Sequence, residues 1–244
     1  MAPADATPAD GEPLRLSKVV AARVPCSRRE AEQYIAEGRV RVDGAAVHEP
    51  QFRVRADQRV EIDTQAQLQP PVPATVLVHK PAGSIDARAL IEAATRWKDD
   101  PTGIRRVKSQ DVGLVALFAL PPQASGLCVY SQDGRIVRKL TEDAALMEQE
   151  LLADVSGSIA PGGLERLGHG LVRDGKPLPA ARVSWQSEHR LRFAAKGLMP
   201  ALVPWMCAQV GLELIALRRI RIGRIAMAGL PVGQWRYLGP HERF

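Results

Sequence analysis

One stretch constrains this chain more than any other: Thr64 to Pro73, which reads Thr-Gln-Ala-Gln-Leu-Gln-Pro-Pro-Val-Pro. Polar residues lead into three prolines, and such a proline-stiffened run supports neither a helix interior nor a central strand. A hydrophobic core cannot continue across it, so two domains are expected, residues 14–63 and 74–244, with 64–73 as the linker. Residues 1–13 are mostly Ala, Pro, Asp and Gly, with no basic start and no apolar stretch. They read as a floppy tail and not as a signal peptide.

The first segment is the more legible. Leu16, Val19 and Val20 share a helical face, with Arg15, Lys18 and Arg23 on the water side, and Pro25 interrupts that helix. Ser27-Arg28-Arg29-Glu30 has the form of a capping box, with Ser at the N-cap and Glu three residues on. Ala31, Tyr34 and Ile35 continue an inward face, and Gly38 supplies a stop. Arg39-Val40-Arg41-Val42 alternates with period two before the tight-turn pair Asp43-Gly44, and Arg59 to Asp63 repeats the strand pattern. The reading is helix, turn, helix, then a small antiparallel sheet.

The second segment mixes strands and helices without a repeating βαβ period, which argues for an α+β fold and not a doubly wound sheet. Strands are expected at Thr75–His79, Val112–Leu120, Gly126–Tyr130, Leu191–Ala195, Leu212–Ile222 and Trp235–Leu238, turns at Lys80–Gly83 and Asp133-Gly134, and a helix at Pro200–Val210. In the strand Leu212–Ile222, Arg219 and Arg221 are expected on one outward face while Ile220 and Ile222 face the core.

Composition excludes several classes. With 45% apolar and 25% charged residues the chain can fill a core and is not broadly disordered. No apolar run approaches the roughly 18 residues that span a bilayer, so no membrane partner is expected. Cys26, Cys128 and Cys207 lie far apart, which argues against a disulfide framework and a zinc cluster and fits a reducing cytoplasm. His79, His169, His189 and His241 show neither metal spacing nor a nucleophile–base pairing and read as surface or loop residues. Trp97, Trp185, Trp205 and Trp235 read as packing residues before base-stacking ones. No metal and no cofactor are expected, and the chain is expected to act as a monomer.

A net charge of +6 leans modestly towards a polyanion. Its local arrangement says more. Arg28 and Arg29 fall in the first turn of a capped helix, where unpaired N–H groups already favour an anion. Arg15 and Lys18 on the preceding helix, and Arg39 and Arg41 on the hairpin, add to them. A phosphate backbone is the natural partner of such a set. A solvated basic face, interleaved with Glu30, Glu32 and Glu37, is the alternative.

Resemblance favours the first reading. Leu14-Arg15-Leu16-Ser17-Lys18-Val19, Cys26 to Glu32 and Gly38 to Gly44 closely resemble the S4-like (alpha-L) RNA-binding domain. That resemblance implies binding of structured RNA through Arg15, Lys18, Ser27, Arg28, Arg29, Arg39 and Arg41. The second segment resembles the bacterial ribosomal-RNA pseudouridine synthases that carry such a domain. The likeness rests on His79-Lys80-Pro81-Ala82-Gly83, Ser125-Gly126-Leu127, Ser131 to Gly134, Met206 to Gly223 and Gly233 to Leu238. It implies a mainly antiparallel sheet and ribosomal RNA as the partner. Arg219 and Arg221 are further RNA-facing candidates.

The same resemblance exposes a gap. The family's central motif is Gly-Arg-Leu-Asp, two residues, Ser or Thr, one residue, then Gly-Leu, and its Asp acts on the ribose of the target uridine. Anchored on Gly126-Leu127, this chain reads Phe118-Ala119-Leu120-Pro121. Pro121 stands where the Asp belongs and has no ionisable or nucleophilic group. The family's Glu-Lys-x-Tyr strand corresponds to Glu148-Gln149-Glu150-Leu151, and its basic helix to the uncharged Pro200–Met206. Asp111 and Asp133 lie about 30 Å along the strands from the vacated position, too far to substitute. The expectation is an RNA-binding protein whose synthase domain lacks its catalytic acid; the rival is a working synthase that isomerises uridine to pseudouridine in ribosomal RNA.

Overall fold

The computed structural model describes residues 12–63, 73–83 and 86–244. The expected tail and linker therefore fall almost wholly outside the described residues. The chain divides into two compact units, Met1–Val72 and Pro73–Phe244.

The first unit runs β1 (Leu14–Arg15), α1 (Leu16–Arg23), α2 (Arg28–Ala36), β2 (Val40–Val42), β3 (Ala45–Val47), β4 (Arg53–Val54) and β5 (Val60–Ile62). The capping box forms as the sequence dictates: the Ser27 hydroxyl accepts from the Glu30 N–H, and the Glu30 carboxylate accepts from the Ser27 N–H. Asp43 and Gly44 both take positive φ, 52° and 81°, the tight turn whose twist suits a hairpin. It joins β2 to β3, and β5 pairs along the other edge of β2. Leu16, Val20, Ile35 and Val40 are wholly buried in the core beneath, each contributing about 1.5–3 kcal/mol. β1 and β4, which pair with each other, were not anticipated; strands this short leave no periodic signal.

The second unit runs β6 (Thr75–Lys80), β7 (Val115–Leu117), β8 (Ser125–Ser131), α3 (Gly134–Glu142), β9 (Glu148–Gly157), α4 (Gly163–Gly168), β10 (Val172–Arg173), β11 (Lys176–Pro177), β12 (Ala181–Ser187), β13 (Arg190–Lys196), α5 (Val203–Ala208), β14 (Leu212–Ile222), β15 (Ile225–Ala226) and β16 (Trp235–Tyr237). One large sheet has the order β12-β13-β9-β14-β8-β6-β16, with β15 added to β14 and β7 to β8. All its described pairings are antiparallel except β14 with β8. Its central strands carry apolar residues on both faces. Val76, Val78, Cys128, Leu151 and Phe193 enter one core, while Leu77, Leu127, Val129 and Ile222 enter the other with Leu140 of α3.

Two expectations in this unit are corrected. The strand expected over Val112–Leu120 shrinks to β7, and Val112 is 70% exposed, with no sheet partner to order it. Asp133-Gly134 is a helix start and not a turn: the Asp133 side chain accepts from the Arg135 N–H and caps α3.

Candidate functional site

In the first unit, β1, α1, α2 and β4 gather Arg15, Lys18, Arg28 and Arg53 around a cavity of about 420 Å³ whose lining includes one acid, Glu12. Three of the expected binding residues therefore share one site, and Arg53 joins them. Arg53-Val54-Arg55 has the same alternation as Arg39–Val42, the signal that would have found it.

The other expected residues lie elsewhere. Arg29 is exposed and outside the cavity lining, and Arg28 leans on Glu32 at 3.2 Å. Arg39 pairs with Asp63 at 3.4 Å, and Arg41 donates to the Gly44 carbonyl at 3.5 Å. Ser27 is committed to its cap. The anion at this helix start is the chain's own Glu30, held below the usual carboxylate range by hydrogen bonds from Ser27, chiefly its backbone N–H. The helix N-terminus expected to receive a phosphate is thus already filled.

The second unit answers what surrounds Pro121. Lys80, at the end of β6, is 2% exposed. Its ammonium donates to the carbonyls of Ala124 at 2.7 Å, Pro122 at 2.9 Å, Pro81 at 3.1 Å and Pro121 at 3.2 Å. A buried ammonium without a carboxylate is costly, and backbone oxygens are what compensate it here. Burial pushes the Lys80 pKa down, and the nearby Cys128 thiol acts weakly against that. The loop's other end is set by Gly126, whose φ of +112° and backbone approach admit no side chain: a Cβ there would lie 2.2 Å from the Arg219 carbonyl oxygen.

The acids nearest in sequence are engaged on other groups. Asp86 accepts from the Tyr130 hydroxyl at 3.3 Å, four residues along β8 from Gly126 and so about 13 Å away. Asp111 is paired with Arg106 at 2.8 Å, and Asp133 caps α3. Leu151, at the family's Tyr position, is 1% exposed and packed in the core. The segment matched to the family's basic helix is a 3-10 turn, Pro200–Leu202, followed by α5, and it buries Pro200, Val203 and Met206.

The arginines of β14 correct a further expectation. Arg219 is wholly buried, so it does not face RNA. It donates to Leu127 O at 2.8 Å, to Gln149 Oε1 at 2.9 Å and to Phe118 O, and burial lowers its pKa to about 10. Arg221 is bound to Glu148 and Glu150. The alternation fails because the register of β14 on β9 shifts between Arg219 and Arg221; across this bulge Arg219 and Ile222 are both buried and Ile220 is half-buried. His79 is also misjudged as a surface residue. It is 4% exposed, with Nδ1 2.7 Å from Leu230 O and Nε2 buried without a partner.

Fold and sites together define a two-part class, a small domain of two helices and short strands with a basic cavity, followed in sequence by a large mainly antiparallel α+β domain. Residues 14–60 match the S4 domain family. A solved pseudouridylate synthase superposes with a TM-score of 0.56, covering 92% of this chain and 96% of its own at 18% identity, which establishes the shared fold. An RNA pseudouridine synthase of Aquifex aeolicus is 23% identical over 94% of both chains. Ribosomal large subunit pseudouridine synthase B of Bacillus subtilis is 27% identical over 93% of both. The dual-specificity RNA pseudouridine synthase RluF of Escherichia coli is 25% identical over 94% of this chain and 77% of its own. The chain thus contains an S4 domain over residues 14–60 and is similar, over nearly its whole length, to RNA pseudouridine synthases.

Proposed function

We propose that this protein binds structured RNA, ribosomal RNA in particular, through its S4 domain, and that its synthase domain serves as a scaffold without isomerising uridine. One observation carries the reading: at the family's acid position stands Pro121, and the buried cation beside it, Lys80, is held by four backbone carbonyls. Glycosidic isomerisation by this family's route needs a carboxylate at the ribose, and a proline ring supplies neither nucleophile nor base. The cavity lined by Arg15, Lys18, Arg28 and Arg53 supports the RNA-binding part.

A working synthase is the second reading, favoured by likeness over almost the whole length to curated RNA pseudouridine synthases. Tritium release from ribosomal RNA fragments carrying 5-tritiated uridine separates the two. Background release supports the scaffold reading, and release above background overturns it. For the binding part, Arg15→Ala/Lys18→Ala/Arg28→Ala in the full chain is expected to weaken binding of those fragments. Its log–log salt slope should become shallower by roughly 2 to 3, at about 0.7–0.9 per lost phosphate contact. An unchanged slope removes this cavity from the interface.

A further inference from the structure

The hairpin of β10 and β11 presents an arrangement that the scaffold reading does not use. Asp174 and Gly175, with φ of 52° and 72°, make a two-residue turn that sets Arg173 directly opposite Lys176 in the ladder. Side chains so paired share one face with Cβ atoms about 5 Å apart, and two like charges there repel unless an anion joins them. Asp174 pairs with Arg173, but its carboxylate is 3.7 Å from Arg173 Nε and 90% exposed, a geometry that neutralises little.

The Arg173 guanidinium lies over the ring of Trp205, 5.5 Å from its centroid. Trp205 belongs to α5, a helix with no cation of its own, and packs half-buried against the larger core. Arg173 is 42% exposed, so its outer surface stays open to solvent. A guanidinium within cation–π range of an indole is attracted to the ring, and its solvent-facing side is left for a base to lie on. Lys176 beside it supplies a second charge for the adjoining phosphate.

We propose that this hairpin and Trp205 form a second RNA contact, which takes an unpaired nucleotide by stacking its base on Arg173 and its phosphate between Arg173 and Lys176. The proposal rests on the RNA-binding reading and adds to it a single-stranded element held by the synthase domain. Arg173 and Lys176 touch the ligand, and Trp205 positions Arg173.

The test uses the full chain and fluorescein-labelled twelve-nucleotide oligouridylate, titrated by anisotropy between 50 and 200 mM KCl. Arg173→Ala/Lys176→Ala is expected to bind roughly tenfold more weakly, with a salt slope shallower by about 1.4, two contacts at 0.7 each. Trp205→Leu, which keeps the cations, is expected to lose affinity with the slope unchanged. If Arg173→Ala/Lys176→Ala binds oligouridylate as wild type does, or if wild type binds only the structured ribosomal fragments, the hairpin proposal is overturned while the S4-centred reading stands. Failure of wild type on both probes overturns both.

Discussion

Lys80→Met tests whether the carbonyl cage shapes the loop at Pro121. Methionine fills a similar volume and removes the ammonium. Three N–H donors shared among four acceptors are lost, and hydrogen bonds to charged groups contribute about 1.5–3 kcal/mol each. The loss is smaller than three such terms, because Pro81 and Pro121 are half-buried and Pro122 is exposed, so water can replace Lys80 there. Ala124 is 2% exposed, and its carbonyl would be left without a donor at about 1–3 kcal/mol. Relief from burying the ammonium offsets part of the remainder. The net is about 3 kcal/mol of destabilisation, which for a unit of this size lowers Tm by roughly 6–12 °C. Thermal unfolding followed by circular dichroism reads the shift. Amide exchange at Gly83, whose N–H donates to Pro122 O at 2.8 Å, reads the loop itself and should accelerate. A variant as stable as wild type, with Gly83 equally protected, would refute the cage as what fixes the loop.

Three further outcomes are expected. Gly126→Ala forces a Cβ to within 2.2 Å of the Arg219 carbonyl at a φ of +112°, and should cost more than about 3 kcal/mol in urea unfolding; a loss below 1 kcal/mol would show that β8 and β14 can separate freely. Glu150→Gln leaves Arg192 and Arg221 without their shared carboxylate and should cost about 1–3 kcal/mol. Burial alone would raise the Glu150 pKa, but hydrogen bonds from the two arginines hold it below the usual range. Its contribution is therefore present above about pH 4.3 and fades as pH falls through the lower folded value; a variant with an unchanged acid limb speaks against the pairing. His79 works through neutrality: burial lowers its pKa, with Arg218 adding to that and the Leu230 carbonyl opposing it. The unfolded chain takes the proton first, so stability is intact above about pH 6.5 and falls below it, with a limiting slope of about 1.4 kcal/mol per pH unit. His79→Gln keeps a donor for Leu230 O and should flatten that slope, whereas an equal slope in urea midpoints from pH 7.5 to 5 would exonerate the histidine.

Local chemistry was legible wherever a short-range rule decides the backbone. Ser27 with Glu30, Asp43 with Gly44, and the apolar run Leu212–Ile222 each contain the interactions that set their own conformation, and each forms where its residues predict. The α3 helix escaped notice because its cap and its first turn, Asp133-Gly134, are also turn chemistry, and only Leu140 of its residues is fully buried. Arg219 escaped for a different reason. Period-two alternation assigns faces only while register is continuous, and the bulge of β14 against β9 between Arg219 and Arg221 breaks it. No reading of one strand contains that shift, since the partner strand defines it. The basic cavity is a comparable case: α1, α2 and β4 each contribute a cation, and packing alone brings Arg53 to the other three.

The loop at Pro121 is held from two directions. Lys80 grips the carbonyls of 121, 122 and 124, while Arg219 takes the carbonyl of Phe118 and lies 5.9 Å over its ring. Phe118 sits at a φ of +53°, a conformation that a side-chain-bearing residue adopts at a cost of about 1 kcal/mol or more. The hydrogen bond from Arg219 to its carbonyl helps to hold that conformation. Both buried cations donate to backbone and amide oxygens, Arg219 also to the Cys128 sulfur, and among the described residues no ion pair to a carboxylate forms at either. Charges used in this way fix the path of a loop. With one of its residues at positive φ and two buried cations on its carbonyls, this loop is set by the chain's own contacts.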